Sequence, residues 1–129
     1  MILYLSVEQV LDLHGFQIEQ YGGGAGLRDR GALESAVARP AMTFGGEDLY
    51  EDVASKAAAL MHSLVMNHAF VDGNKRIGAH AALTFVLING YEPSITPEEL
   101  EETTLAVARG EMDVEPLTIW FRQRITRRD

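Results

Sequence analysis

The chain has 129 residues, 47% of them hydrophobic and 23% charged, a balance that suits one soluble domain over 1–129 with room for a sizeable core. Its net charge of −8 argues against general binding to a nucleic-acid backbone, which needs a concentrated basic surface, and points instead to a protein or a metal-bound nucleotide as partner. No apolar run reaches the ~18 residues of a membrane span, the stretch Met1 to Glu8 lacks the basic region of a secretory signal, and no cysteine is present for disulfide or thiolate chemistry. A cytoplasmic protein without direct contact to nucleic acid or membrane is the expectation.

Ser6-Val7-Glu8-Gln9 reads as a capping box, so a first helix begins there. Val7, Val10, Leu11, His14 and Ile18 keep one face until Tyr21, after which Gly22, Gly23, Gly24 and Gly26 end it. No Gly-Lys-Ser or Gly-Lys-Thr follows these glycines, so a connecting loop fits better than a phosphate loop. Arg28 to Arg39 fits a second, short helix stopped by Pro40. The stretch Pro40 to Glu47 reads as an exposed turn or flap. A long helix is expected from Asp48 to about Asn67, with Val53, Ala57, Leu60, Leu64 and Val65 inward.

Ile77 to Ile88 is almost wholly apolar and predicts a buried helix closed by Asn89-Gly90. Thr96-Pro97-Glu98-Glu99 opens another helix that ends near Gly110, and a last one starts around Pro116 with Leu117, Trp120, Phe121 and Ile125 inward. Arg122, Arg124, Arg127 and Arg128 make the one basic cluster, read first as a cationic helix end complementing the dipole and second as a docking patch for an acidic partner. No paired alternating strands are evident. The pattern predicts an all-α bundle of about six helices.

Between the two long apolar segments lies His68-Ala69-Phe70-Val71-Asp72-Gly73-Asn74-Lys75-Arg76. An imidazole titrates near neutrality, which suits His68 as a general base. His14, His62 and His80 read as structural, hydrogen-bonding histidines. Phe70 reads as a plug that fixes the direction of His68. Asp72 has two readings, a cap on the following helix and a magnesium ligand; one carboxylate suffices for magnesium, which fills its other positions with water and phosphates. Gly73 allows close backbone approach to a phosphate, and Asn74 tolerates a left-handed turn. Lys75 and Arg76 add two cations for phosphate oxygens. In this order the residues specify phosphoryl or nucleotidyl transfer to a hydroxyl.

The run HAFVDGNKR closely resembles the signature of the Fic/Doc superfamily, and its Asn-Lys-Arg ending is similar to that of the Doc, or death-on-curing, branch of toxin–antitoxin toxins. The resemblance extends to the early helix, the Tyr-Gly-Gly loop, the flap and the Gly110-Glu111 turn. It implies the compact helical Fic/Doc (Fido) fold and an ATP-dependent modification of a protein hydroxyl. Fic-type proteins transfer AMP and carry a second glycine at the position of Lys75 and a further arginine at that of Ala79. Both departures imply the Doc branch, a protein kinase that passes the γ-phosphate of ATP, with Mg2+, to a threonine of elongation factor Tu and so arrests translation.

In that reading His68 is the base and Asp72 the metal-directed carboxylate, while Gly73, Asn74, Lys75 and Arg76 form the phosphate cradle. Met42, Thr43, Phe44, Gly45, Gly46 and Glu47 form the flap that lines up the target. A cognate, Phd-like antitoxin blocks the site. Thr43 to Glu47 has the spacing of a Fic-type self-inhibitory motif, but Asp48 follows where glycine or asparagine is needed, so inhibition is expected from outside the chain. AMP transfer, or a non-catalytic module with an inert loop, are the alternatives.

Overall fold

The structure, a computed structural model, describes residues 1–128. Helix α1 spans Val7–Tyr21 and opens on the expected capping box, with the Ser6 hydroxyl accepting the Gln9 N–H at 3.1 Å and the Gln9 side chain accepting the Ser6 N–H at 2.8 Å. Helix α2 covers Arg30–Ala38, shorter than expected because Asp29, not Arg28, caps it, accepting the Ala32 N–H at 3.0 Å. It tightens into a 3-10 turn over Arg39–Ala41 around buried Pro40.

The long helix does not start at Asp48. Residues Thr43–Phe44 and Glu47–Asp48 pair as a small antiparallel hairpin, β1 and β2, turned by Gly45 and Gly46 at φ 62° and 84°. Two positive φ angles are what a two-residue hairpin turn of the primed kind requires. Asp52 then caps α3 (Val53–Asn67), accepting the Ser55 N–H at 2.9 Å.

Helix α4 covers Asn74–Ile88 and so begins earlier than the apolar pattern suggested, taking in the last residues of the central motif. Strand β3 (Tyr91–Pro93) precedes α5 (Pro97–Ala108), which opens on the Thr96 capping box; α6 (Val114–Arg122) and strand β4 (Ile125–Arg127) close the chain. Strand β4 pairs antiparallel with β3, Pro93 opposite Ile125, so Ile125 packs half-buried from a strand rather than from a helix. Both sheets are too short for a legible alternation. Six α-helices among the described residues make the expected all-α architecture.

Helix α3 sits at the centre, packed on α4, α6, α2 and α5. Its residues from Val53 to Val65 are buried except His62, as befits a helix apolar on nearly every side. Its contact with α4 is close because Gly78 has no side chain: a Cβ there would lie 2.5 Å from Val65 Cγ2 and 3.2 Å from the Met61 carbonyl oxygen. That approach matters because α3 ends, and α4 begins, in the motif.

Three arginines of the basic cluster are paired within the chain. Arg122 pairs with Asp52 at 2.9 Å, and Arg124 pairs with Glu99 at 2.9 Å while its guanidinium lies 4.6 Å from the Trp120 ring centroid. Arg128 donates to the Leu87 carbonyl at 2.9 Å. These arginines tie the C-terminal segment to α3, α5 and α4, rather than simply complementing a dipole.

Candidate active site

His68 ends α3 in the left-handed region, at φ 49° and ψ 47°, and is the one non-glycine residue with positive φ among those described. For an L-residue that conformation costs roughly 1–2 kcal/mol, and it persists only where the surroundings hold it. Arg28 does so, donating from Nε at 2.8 Å and from Nη2 at 2.6 Å to the His68 carbonyl oxygen. The imidazole itself is exposed and finds no hydrogen-bond partner among the described residues.

Phe70 is buried, 2% exposed, and stacks on His14 with ring centroids 3.8 Å apart, so it anchors the loop as the sequence suggested. His14 also contacts the Asp72 carbonyl oxygen through Nε2 at 2.7 Å. A carbonyl only accepts, so Nε2 carries the proton. His14 is thus structural, as expected, but what it structures is the motif loop.

Asn74 is not the left-handed residue. Gly73 takes that conformation, at φ 81°, while Asn74 is already helical and uses its side chain to close the loop, accepting the Phe70 N–H and donating to the Phe70 carbonyl, both at 3.0 Å. Helix α4 therefore opens on Gly73 with no side-chain cap. The early N–H groups of such a helix lack intrahelical partners, and with the positive end of the dipole they favour an anion.

Asp72 does not cap α4 in the usual way. Its Oδ1 accepts the Gly73 N–H at 2.8 Å and its Oδ2 accepts the Gly24 N–H at 3.2 Å, which bridges the motif to the glycine loop. These two backbone bonds, from Gly24 and then Gly73, hold its carboxyl below the usual carboxylate range, with Arg76 and His14 helping. A Cβ on Gly23 would meet Asp72 Oδ2 at 2.8 Å, so the glycines admit this carboxylate. The connector after α1 is ordered against the motif: Arg28 N–H donates to the Ala69 carbonyl at 2.7 Å and Val71 N–H to the Gly26 carbonyl at 3.1 Å.

Lys75 and Arg76 are exposed on the first turn of α4. The Arg76 guanidinium lies 4.8 Å from the Tyr21 ring centroid. Gln17, buried on α1, donates to the Arg76 carbonyl at 3.1 Å and to His80 Nδ1 at 2.9 Å. The structure thus brings His68, Phe70, Asp72, Gly73, Asn74, Lys75 and Arg76 into one turn between α3 and α4, while Met42 to Glu47 form the separate exposed hairpin.

Arg28 and His14 support the motif loop although no motif marks them, and Tyr21 and Gly24, read from sequence only as the start of a connecting loop, do so too. Their spacing from the motif in the chain hides this.

Two hollows lie near these elements. One, of about 360 Å³, runs along α1 beside the loop and is lined by Leu11, His14, Ile18, Leu27 and Phe70. The other, about 530 Å³, lies between α3 and α6 and includes Arg39, His62, Asp113 and Arg122 but no residue of the motif. The larger of these two holds no motif residue, whereas the smaller is walled by Phe70 and by His14, which bonds the Asp72 carbonyl.

A family model described as the Fic/DOC family matches residues 4–86, from the start of the chain through the motif and most of α4. The protein named Toxin Doc from Mycolicibacterium smegmatis is 48% identical over 92 residues, covering 71% of this chain and 68% of that one. The protein named Protein kinase doc from Escherichia phage P1 is 30% identical over 120 residues, covering 93% of this chain and 94% of that one.

Proposed function

This chain belongs to the Fic/DOC family, and from that premise we propose that it is the toxin of a toxin–antitoxin pair, a protein kinase that transfers the γ-phosphate of ATP to a hydroxyl, a threonine of elongation factor Tu. The observation that carries the reading is the pairing, across one short turn, of an exposed and unbonded imidazole with a helix start that has no side-chain cap and bears Lys75 and Arg76. One relative is named a toxin and the other a protein kinase, which supports both halves of the proposal.

In this mechanism the acceptor oxygen attacks the γ-phosphorus and the bond from that phosphorus to the β–γ bridging oxygen breaks. ADP leaves with the bond's electron pair, and the hydroxyl proton passes to His68. The amides of Asn74, Lys75 and Arg76 at the head of α4, with the two side-chain cations, hold phosphate oxygens. Gly73 keeps that approach open, and Asn74 fixes the turn by its bonds to Phe70.

The residues fit a magnesium ion in that Asp72 is exposed and held ionised, and magnesium takes only one or two protein carboxylates. Bound there, Mg2+ would neutralise phosphate charge. The hairpin from Met42 to Glu47 aligns the acceptor segment. A Phd-like antitoxin blocks the site, and the apolar hollow beside the loop offers it a seat.

Intact-mass spectrometry of elongation factor Tu after incubation with this protein, ATP and magnesium tests the reading. Wild type is expected to add about 80 Da, one phosphoryl group, and His68→Ala nothing, a loss of at least about 10²-fold in rate. A gain of about 329 Da would instead assign AMP transfer, and an alanine variant as active as wild type would remove His68 from the base role.

A further inference from the structure

We propose that Arg39 and Lys56 form a two-cation clasp that sets the hairpin relative to His68, which makes Arg39 a positioning residue for the acceptor hydroxyl. This rests on the reading of the hairpin as the acceptor flap.

The hairpin has little to hold it in place by itself. Each strand is two residues long, all of Thr43 to Asp48 is exposed, and Phe44 is 83% exposed, so no apolar face fixes it. A lone two-stranded hairpin of this kind is marginal in water. Its position must come from its ends.

Both ends are held by cations. Arg39, where the chain enters the hairpin, donates from Nε to the Tyr50 hydroxyl at 2.9 Å, where the chain leaves it. The same guanidinium reaches α3, donating from Nη1 to Ser63 Oγ at 2.9 Å and to His62 Nδ1 at 3.2 Å. An arginine only donates, so His62 Nδ1 accepts and the ring is neutral in this arrangement. Lys56, wholly buried on α3, donates from Nζ to the Pro40 carbonyl and to Asp48 Oδ2, each at 3.1 Å. Entry and exit are thus tied to each other and to one helix.

That helix is the one that ends in His68. Ser63 lies about one and a half turns before it, roughly 7.5 Å along the axis. A fork with several donors in one plane holds strand exit and helix in one fixed geometry; a lysine ammonium at the same place, a point charge on a flexible stem, holds it less rigidly. The clasp therefore fixes the distance between whatever the hairpin holds and the imidazole.

The test compares wild type with Arg39→Lys, Tyr50→Phe and Lys56→Met by two readouts. The first is hydrogen–deuterium exchange of the hairpin amides, Leu49 in particular, whose N–H donates to the Met42 carbonyl at 2.9 Å. The second is initial-rate kinetics with elongation factor Tu and ATP varied separately.

Arg39→Lys is expected to speed hairpin exchange while α3 stays protected, and to raise KM for the acceptor about tenfold, what one charge-assisted hydrogen bond is worth, with KM for ATP within about twofold. Tyr50→Phe should shift the same readouts less. Lys56→Met, which keeps an unbranched chain in the buried channel, should loosen the hairpin without unfolding α3.

Unchanged exchange in Arg39→Lys would overturn the clasp, and an equal rise in both KM values would overturn the positioning role. If wild type transfers nothing to the factor, the reading of function fails and the positioning role with it, whereas exchange still decides the clasp.

Discussion

Helices α3 and α4 pack against each other, yet they begin in opposite ways. At the start of α3, Asp52 accepts the Ser55 N–H, the Ser55 hydroxyl accepts the Asp52 N–H at 3.1 Å, and Arg122 grips the same carboxylate through Nε and Nη2 at 2.9 and 3.3 Å. At the start of α4 no side chain caps the helix, and the neighbouring carboxylate, Asp72, accepts from Gly73 and Gly24 instead. One helix end is satisfied by side chains of the chain itself; the other has no side-chain cap, which is what the proposed phosphate cradle uses. Lack of a cap does not by itself make a site, since α6 also opens without one on Asp113. What sets α4 apart is its company: an exposed imidazole, an ionised carboxylate and two exposed cations.

The largest effect that should separate the two ends is Asp72→Asn. It is expected to lower phosphate transfer by about 10²-fold, since both the ionised carboxylate and its hold on the glycine loop are lost, while the melting temperature moves little because the residue is exposed. Rates in a magnesium titration, beside a thermal melt, check this. Asp72→Asn with full activity would mean that the open end of α4 does not depend on its carboxylate.

Next in size is Gly78→Ala. A methyl group 2.5 Å from Val65 Cγ2 must push α4 away from α3, an overpacking cost of about 1–3 kcal/mol. Because His68 closes α3 and Gly73 opens α4, the same shift separates the proposed base from the proposed cradle. Activity at a temperature where the variant is fully folded should therefore fall as well. A variant that loses stability alone would show that the two halves of the motif tolerate movement between the helices.

Much of the fold is legible in the sequence. Capping boxes at Ser6 and Thr96 are local, so they read directly, and the apolar run from Ile77 marked α4 as a core helix. The motif order marks the candidate site. What could not be read was set by partners far along the chain. His68 takes the left-handed turn that glycine or asparagine usually takes because Arg28, 40 residues earlier, holds its carbonyl. Lys56 sits wholly buried in a helix because Pro40 and Asp48 come to it from the hairpin. Helix α3 starts after Asp52 rather than at Asp48: the Asp52–Ser55 cap that marks it is local but easily passed over beside a two-residue strand, and the Asp52–Arg122 pair, 70 residues apart, reinforces it.

The smallest effect is the acid response of the closed end. Burial alone would raise the pKa of Asp52, but the bonds from Arg122 and Ser55 outweigh it and lower it from 3.8 to about 2. The folded state thus binds a proton at this group less readily than the unfolded chain does, so its contribution is complete above the unfolded value near 3.8 and is lost as pH falls through about 2. With the side chain 43% exposed, solvent screening leaves on the order of 1 kcal/mol. Asp52→Ala should lose that and the cap, about 1–2 kcal/mol at neutral pH, and should flatten the fall in denaturant midpoint between pH 4 and pH 2 relative to wild type. Transfer activity at neutral pH should be untouched. If Asp52→Ala instead kept the full acid sensitivity, the grip of Arg122 on the start of α3 would contribute nothing to stability, and the contrast between a closed helix end and an open one would rest on α4 alone.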